Sequence, residues 1–224
     1  MAKKTFNAFV QACLQARFFL MLVLLLLLIL STPFLQDFLR TRILKDIFLT
    51  AIFIWIIYTI KLKKVQRLIA VILVMPLIIT IWASYVVGFE AMGMATLIFG
   101  ALFFAYAVIN ILRIVFKTKE IRRETIYAAI AAYLLLALMW AFIYSILEMA
   151  VPGSFSLPDK GFRGYFIQLE YFSFITITTL GYGDITPLTD KASALAICEA
   201  VVGQIYKIVL VAWLFGMHVS RRSR

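Results

Sequence analysis

Residues 176–184 read Thr176-Ile177-Thr178-Thr179-Leu180-Gly181-Tyr182-Gly183-Asp184, and they lie between a short apolar segment and a long one. The short segment, 165–177, has about 13 residues, whereas a helix that crosses a bilayer needs roughly 20. It therefore reads as a re-entrant half-helix. Gly181 and Gly183 can take φ > 0 at little steric cost, so successive carbonyls can be turned toward one axis. Non-helical backbone at membrane depth is tolerated only where protein buries it or where it lines a watery cavity. Span, half-helix, glycine-rich return and span is a pore layout.

The chain of 224 residues is 64% hydrophobic with a mean hydropathy of +1.01, too apolar for a water-soluble globular domain. Six stretches are candidates for spanning helices: about 18–35, 44–60, 68–87, 94–116, 124–149 and 192–219. The first is long and ends in Ser31-Thr32-Pro33, unlike the short apolar region and small-residue cleavage site of a signal peptide, and is read as a span. The expected fold is an all-α membrane protein with six transmembrane helices, a re-entrant pore helix and a selectivity-filter loop. Residues 1–116 form a four-helix membrane block, 117–123 a cytoplasmic linker, and 124–224 the pore domain of outer helix, pore helix, filter and inner helix.

A net charge of +11 could point to nucleic acid, but the basic residues sit in short clusters between spans, where orientation signals belong. With a cytoplasmic N-terminus, most of the 22 Lys and Arg fall inside, in clusters such as Lys61, Lys63, Lys64 and Arg67, or Arg113, Lys117, Lys119, Arg122 and Arg123. Both termini are then cytoplasmic and no nucleic-acid partner is expected. Pro152, Gly153, Pro158 and Gly161 mark an exposed outer loop. The last span is followed by only about five residues, so no ligand-binding domain is expected to gate the pore. Cys13 and Cys198 imply no disulfide framework. The single histidine has no neighbouring nucleophile or metal-ligand cluster, and there is no phosphate-cradling glycine loop. Neither an enzyme nor a cofactor is expected.

The stretch 176–184 resembles the signature of the tetrameric potassium-channel family, with Leu180 where valine is commoner. That family is the worked case of selectivity by backbone carbonyls, whose oxygens replace the ion's hydration shell. The resemblance covers 124–219 strongly and 1–116 only as four spans. It implies potassium bound by the carbonyls of Thr179, Leu180, Gly181 and Tyr182 and by the Thr179 hydroxyl, with Gly183 completing the loop. Thr178 and Asp184 would support it, Asp184 behind the outer mouth, and Tyr182 would point away as a brace. The half-helix would aim the negative end of its dipole at a cation. One strand cannot encircle an ion, so four copies are needed, and closed symmetry makes a homotetramer the expected assembly. Potassium ions and membrane lipid are the expected partners, and the cell (plasma) membrane the expected site.

Gating is less determined. The 94–111 stretch of span four has no basic residue, although a voltage sensor moves charges worth ~2.3 kcal/mol each per 100 mV. Arg113 and Lys117 read instead as positive-inside anchors. In the inner helix Gly203 is placed either as a hinge or for close helix packing, and Gly216 is a second flexible point. By the family pattern Gln204, Lys207, Val211 and Phe215 would face the cavity, and His218 lies at the inner end, where it could titrate near neutral pH. Lys207 is a charge in mid-span: deprotonated by burial, paired with Glu199 or Glu170, or limiting current. The alternatives to a conducting, not voltage-gated channel are a poorly conducting or regulatory subunit limited by Lys207, and a weakly voltage-gated channel. Uptake systems with four pore repeats in one chain do not fit, because no repeats appear.

Overall fold

A computed structural model describes residues 17–34, 39–60, 64–83, 93–118, 122–158 and 162–222, without side chains at 31–34, 39–42, 44, 45, 162–164 and 217–222. Cys13, Lys61, Lys63, Lys119, Gly161 and the His218 side chain, all named above, lie outside them. The described residues form seven helices: α1 (Arg17–Phe34), α2 (Leu39–Thr59), α3 (Lys64–Ala83), α4 (Gly93–Lys117), α5 (Arg123–Ala150), α6 (Phe162–Ile177) and α7 (Asp190–Arg222). There is no strand among them, only an isolated bridge between Phe155 and Pro187. Four helices are long and apolar enough to cross a membrane: α3, α4, α5 and the Asp190–Gly216 part of α7. The apolar parts of α1 and α2 described with side chains, Arg17–Leu30 and Asp46–Thr59, are shorter.

Helix α5 is the spine, and α1, α4, α6 and α7 all pack against it. Its buried face carries Ala128, Ala129, Ala131, Ala132, Ala137 and Ala141, small residues that let neighbouring membrane helices approach closely. The α4 contact is tight at Gly100, where an added Cβ would lie 2.3 Å from Phe142 Cε1. The backbone of α1 starts against α5: the Phe18 N–H donates to Glu124 Oε2 at 3.0 Å. Glu124 thus meets an orphan donor at the start of α1 while standing in the first turn of its own helix, where a negative charge is favoured.

Polar contacts inside the block are between helices or back onto the same helix, as apolar surroundings require. Thr80 Oγ1 donates to the Pro76 carbonyl at 2.8 Å and lies 2.8 Å from Thr96 Oγ1, joining α3 to α4 beside the proline in α3. Tyr106 donates to the Gln66 carbonyl at 2.9 Å. Arg113 and Lys117 are exposed at the C-terminal end of α4.

Candidate functional site

Helix α6 ends at Ile177, where the apolar half-helix was expected to end, and starts three residues before the expected 165. Its last turn does not simply fray. The N–H groups of Leu180 and Gly181 both donate to the Ile175 carbonyl, at 2.9 and 3.1 Å, and that of Thr179 to the Thr176 carbonyl at 3.0 Å. Thr178 Oγ1 donates to the Phe174 carbonyl at 2.6 Å. These bonds hold the start of the glycine-rich return against the carbonyl end of α6.

The return then alternates. Thr179, Gly181 and Gly183 have φ of 65°, 54° and 78°, whereas Leu180 and Tyr182 do not take positive φ. The glycines were expected to bend this way. Thr179 was not, because a β-branched residue in the left-handed region is a genuine outlier, costing about 1–3 kcal/mol that the surroundings must hold. Leu180 and Tyr182 are exposed on the single chain. Asp184 accepts a hydrogen bond from the Tyr171 hydroxyl at 2.8 Å, which fixes the far end of the return to the middle of α6.

Beyond Asp184 the chain is tied to the loop that follows α5. The Ser156 N–H donates to the Thr186 carbonyl at 3.0 Å, and the Leu188 N–H to the Ser154 carbonyl at 2.7 Å. Glu148, near the end of α5, accepts from the N–H groups of Gly153 and Phe155 at 2.8 and 3.1 Å. Phe155 packs between the rings of Tyr144 and Phe172, with centroids 5.3 and 5.4 Å away. The two loops flanking α6 are therefore one unit.

On the other side α6 is gripped by α5 and α7. Tyr133 donates to the Ile177 carbonyl at 2.7 Å. Gly203 is buried, and a Cβ there would fall 2.7 Å from Ile177 Cγ1 and 3.0 Å from its carbonyl oxygen. Glu199, one turn earlier, is wholly buried. Its Oε2 accepts from the Tyr144 hydroxyl and its Oε1 is hydrogen-bonded to Ser173 Oγ, which also lies 2.7 Å from the Ala137 carbonyl. Glu199, considered as a partner for Lys207, is thus occupied by α5 and α6, and Lys207 makes no ion pair among the described residues. Lys207 is half-buried, while Gln204, Val211, Phe215 and Gly216 are exposed on the single chain. Tyr144 and Ser173 had no sequence signal as partners of Glu199, being 55 and 26 residues away.

The arrangement from α5 through α7 coincides with a family model described as an ion channel, which matches residues 130–219. A curated relative, Protein LctB of Bacillus caldotenax, is 32% identical over 98 residues, covering 42% of this chain and 72% of the relative. The chain belongs to the ion-channel family. No solved structure matches it. As a potassium-channel-family subunit the protein has its family-matched part in α5, α6, the glycine-rich return and α7, while α1 to α4 lie outside the match. Among the described residues, no group of three or more His, Cys, Asp or Glu could hold a metal ion.

Proposed function

We propose that the chain is one of four identical subunits of a potassium-selective channel in the plasma membrane, passing ions passively through a filter made by the backbone of Thr179, Leu180, Gly181, Tyr182 and Gly183. In this reading α1 to α5 and α7 cross the bilayer, six spans with both termini cytoplasmic. Helix α6 enters partway and returns through the filter. Residues 1–116 are a membrane block without gating charges and 124–224 the pore domain.

The observation that carries the reading is the alternation of left-handed and ordinary φ along 179–183. Such alternation turns successive peptide units the same way, so the carbonyls of Thr179, Leu180, Gly181 and Tyr182 can face one axis and replace a cation's water shell. A single strand offers one oxygen per ring, and fourfold symmetry supplies the rest. The surface of α7 supports assembly. Ile197, Val201, Ile205, Ile208 and Phe215 are at least half exposed on the single chain, on a helix that lies largely within the family-matched residues 130–219. Purified protein in liposomes tests this: potassium efflux should be rapid, sodium efflux slow, and the detergent-solubilised particle should have the mass of four chains.

A second reading, a poorly conducting subunit limited by Lys207, is favoured by one observation: the carboxylate nearest to it on the same helix face is bonded elsewhere. Four uncompensated ammonium groups along one cavity would repel potassium.

A further inference from the structure

Glu199 is fully buried at the place where α5, α6 and α7 meet. The polar and titratable groups around it are Tyr133 and Tyr144 from α5, Ser173 from α6 and Cys198 beside it on α7. No lysine, arginine or histidine pairs with it among the described residues. A lone carboxylate without a cation is costly in such surroundings, and a buried acid in that position takes up a proton instead.

The hydrogen-bond geometry leads to the same protonation state by counting. Three close oxygen pairs run in a chain: Tyr144 Oη with Glu199 Oε2, Glu199 Oε1 with Ser173 Oγ, and Ser173 Oγ with the Ala137 carbonyl at 2.7 Å. Each pair needs one proton between its oxygens. Tyr144 supplies one, Ser173 supplies one, and a carbonyl has none. The Ser173 proton must go to Ala137, because nothing else can fill that gap. The pair between Glu199 and Ser173 is then filled only by a proton on Glu199.

We infer that Glu199 is a neutral carboxylic acid that donates to Ser173 Oγ and acts as a positioning residue for the pore helix. Glu199 and Gly203 are four residues apart on α7, and Ser173 and Ile177 are four apart on α6. Glu199 meets Ser173 and Gly203 meets Ile177, so the two helices engage in step over one turn. Ala137 brings α5 into the same chain. The last turn of α6, whose carbonyls hold the start of the filter, is thereby set in height. Its consequence for selectivity rests on the channel reading above, whereas the protonation state does not.

Infrared difference spectroscopy on the purified tetramer, wild type against Glu199→Gln, tests the inference at about pH 7, more than two units above the ~4.3 of an ordinary glutamate. The expected result is a protonated-carboxyl C=O band that Glu199→Gln removes and that Tyr144→Phe moves to higher frequency, since the hydroxyl bonded to Oε2 is gone. Glutamine can accept from Tyr144 and donate to Ser173, so its potassium flux should stay within about twofold of wild type. Glu199→Ala leaves those groups unpaired and should lose tenfold or more in flux, about the factor expected for buried orphaned partners. Carboxylate bands in place of the C=O band, or a Glu199→Gln protein that fails to assemble, would overturn the inference. The spectrum needs no conduction, so it stands or falls apart from potassium selectivity.

Discussion

Gly203 of α7 stands flush against Ile177, the last residue of α6, with room for no side chain: the nearest Ile177 atom is 2.7 Å from where a Cβ would sit. Close approach, not only flexibility, therefore calls for glycine here. Gly203→Ala should lower the thermal stability of the protein by about 1–3 kcal/mol, the usual cost of overpacking, and on the channel reading reduce conduction with it. Unfolding followed in detergent checks this. Unchanged stability with altered opening would favour a hinge.

Gly181 and Gly216 separate backbone strain from crowding. Neither has an atom within 4 Å of an added Cβ, but Gly181 has φ of 54° and Gly216 is helical. Gly181→Ala should therefore cost about 1–2 kcal/mol through the left-handed backbone alone and degrade ion selectivity. Gly216→Ala should be neutral or stabilising by up to about 1 kcal/mol. Parallel melting curves and flux assays would show the contrast.

The contrast between these glycines shows what could be read in the sequence. The half-length of 165–177 and the glycines after it were legible because both follow from local rules, span length and allowed φ. The left-handed Thr179 was not, since its strain is held by bonds back onto the end of α6. Gly203 could be read as hinge or packing until Ile177 was seen beside it. Glu199 was legible only as a candidate partner for Lys207, because Tyr144 and Ser173 come from distant parts of the chain and only the three-helix junction brings them to it.

Lys207 has no acidic partner among the described residues, and on the channel reading it faces the ion path. Lys207→Ala is expected to raise single-channel conductance at least about twofold and to change rectification, as removal of a weakly screened like charge should. Planar-bilayer recording of the variant checks this. Identical currents would mean that the amine is paired by a neighbouring subunit or carries no charge.

Arg113 and Lys117 are exposed at the end of α4, and the helix before them carries no basic residue from 94 to 111. Replacing both with glutamine should leave the voltage dependence of opening unmoved, because charges at a helix end traverse little of the field. Tail-current recordings would contradict this with a large shift or a flattened curve.

The Tyr171 to Asp184 bond is exposed at the far end of the return. Tyr171→Phe should cost about 1–2 kcal/mol or less in stability, as expected for an exposed hydrogen bond to a charged group. On the channel reading the larger effect should be on the outer end of the filter, seen as faster loss of current during sustained opening.

On the channel reading the 179–183 backbone selects potassium in a fourfold ring. The most direct measurement is the reversal potential of the purified, reconstituted protein with potassium on one side of the bilayer and sodium on the other. A reversal potential far toward the potassium equilibrium value, lost in Gly181→Ala, is expected. Currents that reverse near zero under the same gradient would contradict it.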